Sequence, residues 1–153
     1  MPSAIHNENA LQTSQDIARA LLTGFGHLKI PFSYATADAA VLFTVPSGMK
    51  LEIGRVFWET TVTFAGGATP KIGLKSSNAG YNTAGDLLGG GTGDGTLAST
   101  TQYSGTIGAK ISTAASAAAP VILVAGDTII FNRMTSAFTS GSGFVHVSFR
   151  VLD

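Results

Sequence analysis

The apolar positions of this chain change period once, close to residue 24. Before that point the segment Asn9-Ala10-Leu11 through Ile17-Ala18-Arg19-Ala20-Leu21-Leu22 is built from helix formers and contains no glycine or proline until Gly24. Leu11, Ala18, Leu21 and Leu22 can share one helical face, and Gly24 is placed to cap the helix C-terminus. Two readings of this helix stand side by side: it packs on its own sheet, or it is an arm that reaches onto a neighbour. From His27 the period becomes two. Leu28, Ile30, Phe32 and Tyr34 alternate with His27, Lys29, Pro31 and Ser33, and Pro31, having no N–H to donate, marks an edge strand or an irregular lead-in. The division is therefore an N-terminal arm or helix over residues 1–26 and a β-domain over residues 27–153.

The pattern is densest between Lys50 and Lys75. Leu51 and Ile53 set one side of a strand; after Gly54 the apolar phase moves by one, so that Val56, Trp58, Val62 and Phe64 share a face. A one-residue slip at a glycine is the mark of a β-bulge, which bends the strand. Trp58, in phase with Val56 and Val62, reads as core, against the alternative of a sugar-stacking platform. Gly66-Gly67 reads as a hairpin turn with Lys71–Lys75 as the return strand. Upstream, Ala39–Val45 is a short apolar strand closed by Pro46-Ser47-Gly48.

Beyond Lys75 the order weakens. Residues 76–106 are irregular and include Leu88-Gly89-Gly90-Gly91-Thr92-Gly93-Asp94-Gly95-Thr96. No lysine follows these glycines as a phosphate loop requires, and no strand-then-helix context supports a dinucleotide fingerprint. Gly90-Gly91-Thr92-Gly93-Asp94 falls one residue short of a calcium-binding repeat and occurs once. It reads as a surface or inter-subunit loop. Ile107–Ile111 is a further strand, and Ser112–Ala119 is an alanine–serine loop or a single helical turn ended by Pro120. Val121–Val124 and Thr128–Phe131 flank Ala125-Gly126-Asp127 as a tight hairpin. Ser136–Gly143 reads as a loop. In the last strand Val145, Val147, Phe149 and Val151 point one way, Phe144, His146, Ser148 and Arg150 the other. With about eight or nine strands and few helices, the fold class is all-β: an antiparallel β-sandwich of jelly-roll type carrying an N-terminal helical or extended arm.

Composition changes this picture in one respect. Of the 153 residues, 44% are hydrophobic but only 12% are charged, against about 25% in an ordinary soluble domain. Either much of the surface is covered by copies of the chain or by another protein, or the domain dresses itself in uncharged polar groups. Nine basic and nine acidic residues cancel, and the basic ones form no patch, which argues against nucleic acid as a partner. With no cysteine, disulfides and thiolate chemistry are excluded. Ala39–Val45 and Val121–Ala125 are far shorter than the roughly 20 residues that span a bilayer, and the N-terminus, with Glu8 and Asp16, does not read as a signal peptide.

Candidate chemistry is sparse. His6, His27 and His146 stand far apart in the chain with no paired metal-ligand spacing, and His146, alternating outward, reads as a surface or interface residue. No Gly-x-Ser-x-Gly elbow is present. Asp86, Asp94 and Asp127 fall in turns, where aspartate bonds its own backbone. The expectation is no catalytic residue, no cofactor and no metal. Leu11, Ile17, Leu21 and Leu22 are the candidate partner-binding residues.

The order of features over roughly residues 37–153 resembles the jelly-roll head decoration (cement) proteins of tailed bacteriophages. Pro46-Ser47-Gly48 precedes a strand with Ile53 and Val56; Thr60-Thr61, Phe64-Ala65-Gly66-Gly67 and Pro70-Lys71-Ile72-Gly73 follow. Tyr81 with Asp86-Leu87 comes next, and Ala125-Gly126-Asp127 introduces the closing strands. Tail and baseplate modules share part of this pattern. The resemblance implies a trimer on the capsid surface of a virion, made in the host cytoplasm and clamping the major capsid protein, without nucleic acid or membrane as partner. The competing class is a carbohydrate- or receptor-binding jelly roll of a phage tail.

Overall fold

The period change near residue 24 is where helix gives way to sheet. The computed structural model describes residues 4–66, 72–89, 106–107, 120–133 and 138–152, with the backbone alone for 4–13 and 106–107. Among these residues helix α1 (Ala4–Thr23) is followed by nine strands: β1 (Phe25–Ser33), β2 (Val41–Thr44), β3 (Lys50–Ala65), β4 (Ile72–Ser76), β5 (Leu88–Gly89), β6 (Thr106–Ile107), β7 (Val121–Val124), β8 (Thr128–Arg133) and β9 (Ser140–Leu152). A short 3-10 turn, Ala79–Tyr81, precedes β5. Gly24 caps the helix as expected: its φ is +79°, a conformation glycine adopts freely, and its N–H bonds the Ala20 carbonyl at 2.7 Å.

The strands form two antiparallel sheets, ordered β1-β9-β3-β7 and β2-β8-β4-β5-β6. With β6 as an outer addition, this is the jelly-roll order, in which most connections cross from one sheet to the other. Two sequence expectations are corrected by it. β3 and β4 are not a hairpin, because β3 pairs with β9 and β7 while β4 pairs with β8 and β5. Likewise Ala125-Gly126-Asp127 makes a tight turn, with Asp127 N–H on the Val124 carbonyl at 2.9 Å, yet β7 and β8 belong to different sheets. A glycine turn between two apolar runs looks the same whether the chain folds back or steps across. A third correction concerns Ser140–Gly143, which are the start of β9 and not part of a loop.

The bulge in β3 is where the pattern placed it. Ile53 faces Phe149 and Val56 faces Val147, so Gly54 and Arg55 together oppose Ser148. Leu51 and Ile53 point inward before it, Val56 and Trp58 after it. Further register shifts between Thr60 and Val62, and between Val62 and Ala65, end the inward phase early. Val62, expected on the core face, is 53% exposed as a result. Phe64 still packs inward, stacked on Phe32 with ring centroids 5.1 Å apart.

Between the sheets lie Trp58, Phe131, Leu28, Leu51, Ile72, Leu74, Leu123, Ile129 and Val145, all essentially without solvent contact. Trp58 has Phe32 at 4.8 Å and Phe131 at 6.4 Å, and its indole N–H reaches the Gly89 carbonyl at 3.3 Å. The edges of the first sheet are blunted against strand addition. On β7, the N–H groups of Ile122 and Val124 are taken by the Tyr81 hydroxyl and an Asp127 carboxyl oxygen. On β1 the edge carries Pro31. Asp127 and Asp86 serve turns, as the sequence suggested; Asp86 accepts the Thr83 N–H at 2.8 Å. Asp94, most of the glycine loop, Gly108–Ile111 and Ser112–Ala119 lie outside the described residues.

Close approach of β9 to β3 makes a test. A Cβ on Gly143 would lie 2.1 Å from the Glu59 carbonyl oxygen, whereas one on Gly54 would lie 3.3 Å from that of Ser148. Gly143→Ala is expected to lower stability by about 2–3 kcal/mol and Gly54→Ala by less than about 1 kcal/mol. Urea midpoints at unchanged m-value measure both.

Candidate functional site

The slip at Gly54 decides what faces outward from the first sheet. Beyond it, Phe57 and Glu59 lie on the outer face; His27 and Lys29 of β1 and Phe144, His146 and Ser148 of β9 join them there by simple alternation. The register brings these positions together, pairing His27 with Ser148, Lys29 with His146, and His146 with Phe57.

The polar groups form a continuous chain across three strands. His146 Nε2 is hydrogen-bonded to Glu59 Oε2. His146 Nδ1 meets His27 Nε2 at 2.7 Å, and His27 Nδ1 meets Ser148 Oγ at 3.2 Å. An ionised carboxylate can only accept, so His146 must donate from Nε2 and, when neutral, must accept at Nδ1. His27 then donates from Nε2 and accepts at Nδ1, and the Ser148 hydroxyl donates to it. Every proton has one place. Lys29 Nζ lies 3.4 Å from the same Glu59 oxygen and 4.2 Å above the Phe144 ring. Phe57 stacks on His146 at 4.6 Å and 11°, with the Arg55 guanidinium 4.9 Å from the Phe57 ring centroid.

These neighbours bury His146 to 8% exposure, which corrects the expectation of a surface histidine. Outward alternation gives exposure only when the flanking side chains are short, and here they are rings. The histidines do stand far apart in the chain, but they do not sit in different contexts: His27 and His146, 119 residues apart in sequence, are bonded in the fold. Of His6 the side chain lies outside the described residues. Burial, followed by the His146 charge, holds the His27 pKa below its ordinary value, while Asp16 pulls it the other way and Lys29 adds to the depression. The hydrogen bond from His146 is the main cause that lowers Glu59, with Lys29 assisting against the cost of burial.

In chemical terms the chain is a proton-ordered polar seam with a serine at one end. Among the described residues no group of three or more His, Asp, Glu or Cys side chains could hold a metal ion. The 2.7 Å between the ring nitrogens is also closer than two ligands at about 2.0–2.1 Å from a tetrahedral zinc ion can approach.

The residues singled out from sequence for partner binding do not converge on this seam. Ile17 is half-buried against the core beside the fully buried Ala20, so α1 docks on β1 through that stripe. Leu21 and Leu22 are 62% and 88% exposed; Leu22 is about 200° round the helix from Ala20. Ala18 is exposed with them, and the Leu11 side chain lies outside the described residues. The helix thus packs on its own sheet while the stripe predicted as its apolar face looks outward. Phe25, which the sequence reading missed, is 66% exposed at the start of β1 and lies close in sequence to Leu21 and Leu22. No described helix is long and apolar enough to cross a membrane. Comparison of the chain with protein-family models, curated proteins and solved structures finds no match in any of the three.

Glu59→Ala leaves the buried His146 N–H without its acceptor and is expected to cost about 1–3 kcal/mol. Glu59 also adds a pH dependence of known sign. Its folded pKa is depressed, so its contribution is present above the ordinary value of 4.5 and is lost as pH falls through the lower folded value. In Glu59→Gln this acid-side decline should flatten; thermal unfolding from pH 6 to pH 3 reads it.

Proposed function

We propose that this chain is a viral structural protein: a capsid decoration subunit of the jelly-roll type that binds the major capsid protein lattice, as a trimer, on the surface of a bacteriophage head. The observation that carries this reading is the outward apolar group Leu21, Leu22 and Phe25, each more than half exposed. Large side chains left in water within five residues of one another in the chain support a surface that a partner covers. A chain with only 12% charged residues supports it, since a weakly charged surface can be buried without stranding unpaired ions. Repetition by symmetry would then turn modest contacts into firm attachment. The resemblance over residues 37–153 supplies the class of partner, and the jelly-roll strand order is compatible with it. A carbohydrate-binding module would use an exposed aromatic platform; Trp58 is fully buried and Phe57 lies beside Arg55, which among the described residues leaves Phe25 and Tyr34 as the exposed aromatics such a module could offer.

Removing the whole helix would strip Ile17 and Ala20 from the core, so a surface change is the sharper test. Leu21→Ser combined with Leu22→Ser should leave stability within about 0.5–1 kcal/mol of the parent. It should lower the occupancy of the protein on expanded capsids at least tenfold, and sedimentation should show whether the trimer is lost as well. Unchanged occupancy would remove α1 from the interface. A monomeric parent that ignores empty shells would end the proposal itself.

A further inference from the structure

The His27–His146 pair has a proton capacity that the geometry limits. With both rings neutral, the chain from Ser148 to Glu59 is fully matched. One added proton fits: it goes to His27 Nδ1, and the Ser148 hydroxyl, 3.2 Å away, turns from donor to acceptor. The bonds from His27 Nε2 to His146 Nδ1, and from His146 Nε2 to Glu59, survive unchanged. A second proton has no such place. On His146 Nδ1 it would set N–H against N–H across 2.7 Å, with two positive rings in contact. The pair is therefore coupled, and its two protonations belong to the pair more than to either ring.

We propose that this pair is an acid latch on the first sheet, one that accepts a single proton in place and opens on the second, freeing edge strand β1 and the helix docked on it from the face of β9 and β3. The charged groups round the pair are of both signs, with the positive ones in excess. Lys29 stands beside the pair on β1, and Arg55 lies over Phe57 on β3. Arg19 of α1 lines the groove with Asp16 and His27. Asp16 and Glu59 are the opposing carboxylates, and Arg150 of β9 is held by Glu52. Among the described residues that leaves Lys29, Arg55 and Arg19 against Asp16 and Glu59 around the rings. The lowered His27 pKa has the matching sign. Burial and then the His146 charge cause it, so the loss it reports belongs to the step that puts a charge on both rings: stability present above the ordinary value of 6.5 is lost as pH falls through the lower folded value. Because β1 is an edge strand among the described residues, with β9 as its sheet partner, opening the latch weakens the sheet contact that holds it. Leu21, Leu22 and Phe25 ride on this element, so their presentation becomes pH-dependent, whatever they bind.

Histidine resonances of the intact chain, followed by NMR from pH 8 to pH 4, test the latch together with amide exchange corrected for its intrinsic pH dependence. The expected result is two separated steps, each sensed by both rings. Protection at Leu28 and Ile30 should be unchanged through the first step and fall at least tenfold through the second. His146→Gln keeps an acceptor for His27 and a donor for Glu59 but cannot be protonated; it should give one step and no acid loss of β1 protection. Glu59→Gln should retain the two-step titration, separating the latch from carboxylate titration. Independent single-step titration of the rings, or the same loss of protection in His146→Gln, overturns the proposal. If that variant does not fold, His27→Gln takes its place, and the wild-type titration by itself still decides whether the pair is coupled.

Discussion

Everything in the first sheet follows from the way β3 is laid against β9. The two strands run side by side for most of their length, and Gly54 with Arg55 sets two residues of β3 against Ser148 alone. Alternation is strict in a strand, so a single added residue exchanges the inner and outer sets beyond it. Without the bulge, Phe57 and Glu59 would point between the sheets and Trp58 would point to solvent. With it, Trp58 is buried among Phe32 and Phe131, and Glu59 stands where His146 can bond it. The core and the polar seam are two faces of one register.

The seam resolves a conflict common to sheets with one face toward water. His146 is nearly buried on that face, and an imidazole shielded by rings must find partners for both nitrogens or lose the hydrogen bonds water gave it. Glu59 on one side and His27 on the other meet that need, and each is supported in turn by Lys29 and Ser148. Partners come from β1, β9 and β3, so the seam crosses three strands at right angles to the chain direction. It ties an edge strand to the sheet interior with side chains as well as with the backbone ladder.

Charge is scarce in this protein, and the fold concentrates much of it. Lys29, Glu52, Arg55, Glu59 and Arg150 all sit on or beside the outer face of the first sheet, several in pairs. On the second sheet Arg133 is occupied with the carbonyls of Tyr34 and Thr36. Surface ion pairs of this kind contribute little to stability individually. What the distribution does is leave little charge for other surfaces; beside Leu21 and Leu22 on α1 the exposed charged residue is Arg19. A surface of that kind can be covered with little desolvation cost, which links the composition to the assembly reading without invoking a single strong contact.

The sequence by itself determined the all-β class, the helix with its glycine cap, the bulge at Gly54, the burial of Trp58 and the turn roles of Asp86 and Asp127. Each of these is a local matter of period, backbone freedom or side-chain reach, and such signals survive in a linear string. Only the tertiary structure decided which runs share a sheet, so β3–β4 and β7–β8 look like hairpins in sequence and are crossings in space. It alone decided which stripe of α1 faces inward, because Ile17 with Ala20 and Leu21 with Leu22 are both apolar and only the contour of β1 chooses between them. The meeting of His27 with His146 was likewise beyond reach of the string. Nothing near either residue encodes the other, and their contact exists because an antiparallel register sets the first strand of the sandwich beside the last.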